Sequence, residues 1–348
     1  MKFLHRLDAL ERRMMLVDTT LADVRGASFL DGRERFWSGQ ALGDASGLSR
    51  LVQGRREGAA ASWIFHVGFC GSTLLTRMLD TSPDTLCLRE PQALVDLSDQ
   101  MATMQARGTL NVAQVWAARA AGHYARLPEA PAHVVIKPSN WANPLLPVLA
   151  GAGLLDHAVF VTMERREWLR AVLRGGHDRL AFVARCAQHM AQATGRHVDL
   201  LEPAVAGASD PLDQAVRLAA LLDHLQNALF DEADPAHRQR IDYAEIVRDS
   251  EAALRHARAL LGLPAIEGEV ETFDWHAKDP ARRFDAAERF KEDLAVENEH
   301  SGRIDAAMNW IDDALGKPRT RRPKRSRKSA PTADAPRRVR SRIGEGNH

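Results

Sequence analysis

Between Ala61 and Leu79 the chain changes its hydrophobic period without a break. Ser62-Trp63-Ile64-Phe65-His66-Val67 is a short, nearly continuous apolar run, the pattern of a strand covered on both faces. Gly68 and Gly71 end it, and Leu74, Leu75, Met78 and Leu79 then recur at helical spacing. The turn Gly68-Phe69-Cys70-Gly71-Ser72-Thr73-Leu74-Leu75 thus sets small residues and two hydroxyls where a strand hands over to a helix. Backbone N–H groups at a helix start have no intrahelical acceptor and lie at the positive end of the helix dipole. The turn is open to two readings: an oxyanion cradle to which Ser72 and Thr73 add hydroxyl donors, or a tight turn with a Ser/Thr helix cap. No Lys follows the second glycine, so this is not a Walker A loop. Nor is it a cysteine-phosphatase loop, because six residues separate Cys70 from Arg77, one too many.

The alternation then repeats. Thr85–Leu88, His133–Ile136, His157–Met163 and Arg240–Tyr243 read as strands, with helical pattern over Pro91–Arg126, from Arg166, over 177–232 and on to Leu315. Strands alternating with helices imply crossover connections and a parallel sheet covered on both faces. The expected fold is α/β: a three-layer, P-loop-like parallel sheet flanked by helices, with helical insertions and a disordered basic C-terminal tail. The expected division is a helical region 1–60, the α/β domain 61–315 and the tail 316–348.

Charge and cysteine usage narrow the setting. The formal net charge is +1, but twelve Lys or Arg against two acids lie from Lys317 onward, which leaves 35 basic and 44 acidic residues before it. The mildly acidic body gives no charge ground for a nucleic-acid-binding surface, whereas the tail offers weak, salt-sensitive contacts to nucleic acid or anionic surfaces. No apolar run reaches the ~18 residues of a transmembrane helix, and charges are strewn through the first fourteen residues. Three cysteines, Cys70, Cys87 and Cys186, make no disulfide framework, and the fourteen histidines show no zinc spacing. A cytoplasmic, metal-free protein is the expectation.

Across residues 61–265 the chain resembles the sulfotransferases that use 3′-phosphoadenosine 5′-phosphosulfate (PAPS), and among them the bacterial and tyrosylprotein members. Cys70-Gly71-Ser72-Thr73-Leu74-Leu75 is similar to their 5′-phosphosulfate loop, and Leu79–Asp84 with Arg89-Glu90 resembles the segment downstream of that loop. His133–Asn140, with Lys137-Pro138, is similar to their strand ending in Lys-x-Pro. Ile241–Val247 and Leu260-Leu261-Gly262-Leu263-Pro264 resemble their Tyr-Glu-Asp-Leu and Leu-Gly-Leu-Pro segments. The chain departs from the pattern at His66 and Phe69, where the family has a glycine and a basic residue, and at Met163 and Ala171, where it has the 3′-phosphate Arg and Ser.

The resemblance implies a sulfotransferase moving a sulfuryl group from PAPS to a hydroxyl of an unidentified acceptor. Gly68, Phe69, Cys70, Gly71, Ser72, Thr73 and Leu74 would hold the phosphosulfate, and Glu90 would remove the acceptor proton. Lys137 would neutralise the leaving oxygen. Among the nearby cations Arg165, Arg166, Arg170 and Arg174, the candidates for the second phosphate are Arg166 and Arg174. Each residue also has a plainer reading: Glu90 as an ion-pair partner of Arg89 or Lys137, Lys137 as a surface lysine, His66 as a core histidine bonded to a carbonyl, Cys70 as a small residue that fits. Trp141 and Trp275 would pack in the core or stack on a ring, and the basic segment Trp275–Arg283 would close over the second phosphate. Phosphoryl transfer from a nucleoside triphosphate, and a nucleotide-binding module without turnover, stand as the alternatives.

Overall fold

The computed structural model describes residues 1–48, 60–266, 275–276, 279–283 and 286–316; for 275–276, 279–283 and 286–287 the description is of the backbone alone. The expected basic tail from Lys317 and the side chains of the Trp275–Arg283 segment lie outside the described residues.

The N-terminal region differs from the helical expectation. It forms a three-stranded antiparallel sheet, β1 (Lys2–Asp8), β2 (Arg13–Asp18) and β3 (Gly39–Asp44), with one short helix, α1 (Leu21–Gly26). The sequence misleads for a physical reason: a register shift between Leu4 and Arg6 leaves His5 as an extra residue in β1. After such a bulge Leu4 and Leu7 face the same side, and a strand acquires the three-residue spacing that reads as a helix.

Next come β4 (Ala61–His66), α2 (Ser72–Asp80), β5 (Thr85–Arg89), α3 (Gln92–Asp99), α4 (Met101–Ala106), α5 (Leu110–Ala125) and β6 (His133–Lys137). They are followed by α6 (Leu146–Gly151), β7 (Ala158–Thr162), α7 (Arg165–Arg174), α8 (Gly176–Thr194), α9 (Leu201–Ala206) and α10 (Pro211–Ala233). The chain closes with β8 (Arg240–Asp242), α11 (Tyr243–Arg248), α12 (Ser250–Leu260), a short antiparallel pair β9 (Trp275–His276) and β10 (Asp279–Arg283), and α13 (Ala286–Ala314).

The five central strands form one parallel sheet in the order β5-β6-β4-β7-β8, flanked by helices, as expected of the fold class. Both faces are covered, so β4, β5 and β7 are buried almost end to end. Trp63, Phe65 and Phe160 stack along the sheet at centroid distances of 5.8 and 6.1 Å. From β4 the chain crosses one way to β5 and later the other way to β7. The carboxyl end of β4 is therefore the switch point, where open α/β sheets bind ligands.

Two attachments bring distant residues to that point. Arg89 is buried and donates to Asp80 and to the carbonyls of Arg25 and Ala27, which fixes the segment after α1 against the end of β5. At the other end of the chain, α13 buries Ile304, Ala307 and Ile311 in the core and lies along α7.

Candidate functional site

The turn after β4 is shaped by what its carbonyls do. The carbonyl of His66 accepts from Asn143 Nδ2 at 3.1 Å, that of Val67 from Gln226 Nε2 at 3.2 Å, and that of Gly68 from Trp168 Nε1 at 2.9 Å. All three oxygens are thereby drawn into protein. The Gly71 carbonyl receives the first intrahelical bond, from Leu75 N–H at 3.1 Å, so the N–H groups of Ser72, Thr73 and Leu74 precede any helical acceptor. His66 is a buried structural residue: Nε2 donates to Pro138 O at 3.0 Å, and Nδ1 accepts from Gly68 N–H at 3.0 Å. These two bonds require the neutral Nε2–H tautomer.

Gly68, Phe69 and Gly71 are all left-handed, with φ of 81°, 57° and 78°. At Gly71 an added Cβ would also sit 3.1 Å from Tyr243 Cδ2. Gly71→Ala is accordingly expected to lower stability by about 1–3 kcal/mol, seen as a lower urea midpoint with an unchanged slope.

Opposite the turn, Glu90 continues β5 past its last residue. Its N–H donates to Lys137 O at 2.7 Å, and its φ is +58°, a second non-glycine left-handed residue at this site. Such strain persists where the surroundings impose it, and it clusters at functional positions. Glu90 Oε1 accepts from Lys137 Nζ at 2.7 Å, and Oε2 from Arg33 Nη2 at 3.1 Å. Lys137 is 0 % exposed and Glu90 12 %. Lys137 is thus no surface lysine: its ammonium ends on the carboxylate rather than on the cavity wall, while its charge is still felt at Cys70. Arg33, for which no local motif offers a signal, comes from the N-terminal region, lies over the Phe29 ring at 4.1 Å and also pairs with Asp31. Arg89 pairs with Asp80 instead of Glu90.

The two faces enclose a cavity of about 770 Å³. The turn from Gly68 to Leu74, Glu90, Arg33, Trp141, Phe182 and Tyr243 are among its walls. Trp141 lies flat on His189, 4.4 Å between centroids, and donates Nε1–H to Asp99 at 2.6 Å, so it lines the cavity from a fixed position. Cys70 is buried, and burial pushes its thiol above the usual range despite opposing N–H contact from Ser72. A thiol held protonated is no nucleophile; Cys70 is a small residue that fits.

Arg166 and Arg174 do not face the cavity. Arg166 donates to Asp305 Oδ1 at 2.5 Å and Glu297 Oε1 at 2.6 Å, and Arg174 pairs with Asp293 and, at 3.8 Å, Glu292, all on α13. Arg165 pairs with Asp223 and Asp312, and Arg170 with Glu297. The carboxylate row of α13 thus draws the α7 arginines away from the turn. The arginines that do line the cavity are Arg33, Arg179 and Arg289. Among the described residues no group of three or more His, Cys, Asp and Glu is placed to hold a metal ion. No described helix is long and apolar enough to cross a membrane.

No protein-family model matches the sequence, and no curated protein matches it. Among solved structures, the fold is similar to a sulfotransferase domain from the curacin biosynthetic pathway at 12% identity and a TM-score of 0.35, covering 76% of this chain and 99% of that one. It is also similar to a sulfotransferase from Alicyclobacillus acidocaldarius at 14% identity and a TM-score of 0.37, covering 74% and 96%. At these scores the likeness carries no functional weight, which rests on the residues.

Proposed function

We propose that this chain is a sulfotransferase-like enzyme that uses PAPS to sulfate a hydroxyl-bearing acceptor. The observation that carries the reading is the pairing, across one cavity, of a carboxylate held by a buried ammonium with a helix-initiating turn whose His66, Val67 and Gly68 carbonyls are bonded into the protein. The residues present fit such a nucleotide: the left-handed glycines at 68 and 71 keep side chains off the turn, and Ser72 and Thr73 add hydroxyls where the N–H groups are free of helical acceptors. When bound, PAPS would supply the activated sulfuryl group.

The chain's own groups then have separable tasks. The N–H groups of Ser72–Leu74 and the two hydroxyls hold the doubly charged end of the nucleotide at the positive end of α2. Glu90 accepts the acceptor's proton at a carboxylate oxygen. Lys137 orients that carboxylate, and its positive charge would stabilise the negative charge that builds on the leaving oxygen. Phe29, Val95, Trp141 and Phe182 keep water from the acceptor end.

Adenosine 3′,5′-bisphosphate, the product nucleotide, tests the reading. At a concentration a hundred times its Kd it is expected to add about 2.7 kcal/mol of stability, read as a higher Tm in a thermal scan. An unchanged Tm up to millimolar nucleotide rejects the cofactor. A rise produced by magnesium–ATP alone transfers the site to phosphoryl transfer.

A further inference from the structure

Arg179, in the first turn of α8, lines the cavity with its guanidinium carbon 4.4 Å from the centre of the Phe69 ring. One arm is fixed, since Nη1 donates to Ala171 O at 2.6 Å. The left-handed backbone at Phe69 holds the ring there, with Phe182 packed edge-on at 6.4 Å. A guanidinium held over a ring and tied at one arm presents its remaining donors, which share the guanidinium plane, to a planar or tetrahedral oxyanion.

The charge balance around it is the telling feature. Arg33 is matched by Asp31 and Glu90, and Arg289 by Asp293. Every arginine of α7 has its carboxylate as well. Among the described residues no carboxylate lies within ion-pair distance of Arg179. Burial and the charge of Arg289 both push the Arg179 guanidinium below its usual range, and Arg174 is depressed to about 10 by burial and then by Arg289 and Arg179. Arg179, unmatched, and Arg289 thus line one cavity with a turn whose His66, Val67 and Gly68 carbonyls are already bonded into the protein. Partly buried cations of this kind are unfavourable until an anion reaches them.

We infer that Arg179, anchored on the Phe69 ring, is the binding cation of this site, gripping a phosphate-class oxyanion together with the N–H groups of Ser72–Leu74. The inference rests on the reading of the turn as an anion cradle, and it holds whether or not sulfuryl transfer follows.

Calorimetric titration of the full chain with adenosine 3′,5′-bisphosphate and with inorganic pyrophosphate tests it, at low and high salt. Wild-type protein is expected to bind, more weakly as salt rises. Arg179→Ala is expected to weaken binding roughly tenfold to a hundredfold, the range for a lost charged hydrogen bond. Phe69→Leu should give a smaller loss by freeing the guanidinium, and Arg196→Ala, removing a distant surface arginine paired with Glu232, none. Should Arg179→Ala fail to fold, Arg179→Lys decides, because it keeps the charge and loses the fork. Wild-type affinity in Arg179→Ala, or in Arg179→Lys where the alanine variant does not fold, overturns the inference while leaving the cradle intact. Wild-type protein that binds neither probe overturns the cradle, and the role of Arg179 with it.

Discussion

Glu90→Gln is expected to lower the rate of sulfuryl transfer by ~10²–10⁴-fold, the contribution of a positioned general base, while nucleotide affinity stays nearly unchanged. The substitution is close to isosteric. Its amide oxygen can still accept from Lys137 Nζ, so the buried ammonium keeps a partner, whereas the amide nitrogen has no lone pair for a proton or for Arg33. Binding and chemistry are therefore separated in one variant. Single-turnover sulfation of a set of phenols and alcohols by PAPS, run beside a nucleotide titration, reads both. Equal rates in the variant and the wild type would make the Glu90–Lys137 pair a purely structural ion pair. Lys137→Ala, in contrast, strips Glu90 of its buried cation and should lose stability as well as turnover. A nucleotide-binding module without chemistry would show no turnover in any of these proteins.

Arg89→Leu is expected to destabilise the fold by ~3–5 kcal/mol, the cost of removing one partner from a buried charged network. Arg89 is 3 % exposed and holds Asp80 at 2.9 Å together with the carbonyls of Arg25 and Ala27. Leucine fills much of the volume but leaves those acceptors buried without their donor. Asp80 retains Arg25, so the charge is not wholly orphaned. The consequence extends to the site, because the segment anchored by Arg89 also carries Phe29, Asp31 and Arg33 onto the cavity. Urea unfolding gives the stability, and loss of protease resistance across residues 20–40 would show that this segment is the part released first. A wild-type urea midpoint in Arg89→Leu would mean that the N-terminal sheet holds its place through β1 and α3 alone.

Much of the central sheet was readable from local pattern. Apolar runs bounded by Gly, Pro and Asp placed β4 to β7 within a residue or two, because a strand covered on both faces must be apolar at nearly every position. That the turn at 68–74, Glu90 and Lys137 lie together was legible for a related reason: each sits where a strand ends, and strand ends in such sheets converge at the switch point. The N-terminal sheet was not legible, since one extra residue in β1 turned a two-residue period into a three-residue one.

The arginines divide the two kinds of information most sharply. Arg165, Arg166, Arg170, Arg174 and Arg179 are chemically alike and lie within one stretch of chain, and the sequence reading puts Arg166 and Arg174 forward and passes over Arg179. Packing ranks them. The acids of α13, more than a hundred residues away in sequence, take the four on α7, and a ring at position 69 holds the fifth over the turn. Local pattern decides which segments become strands and helices, because burial demands apolar atoms at fixed periods. Which side chains then share a cavity depends on contacts between segments far apart in the chain, where charge finds its nearest partner only after the helices have docked.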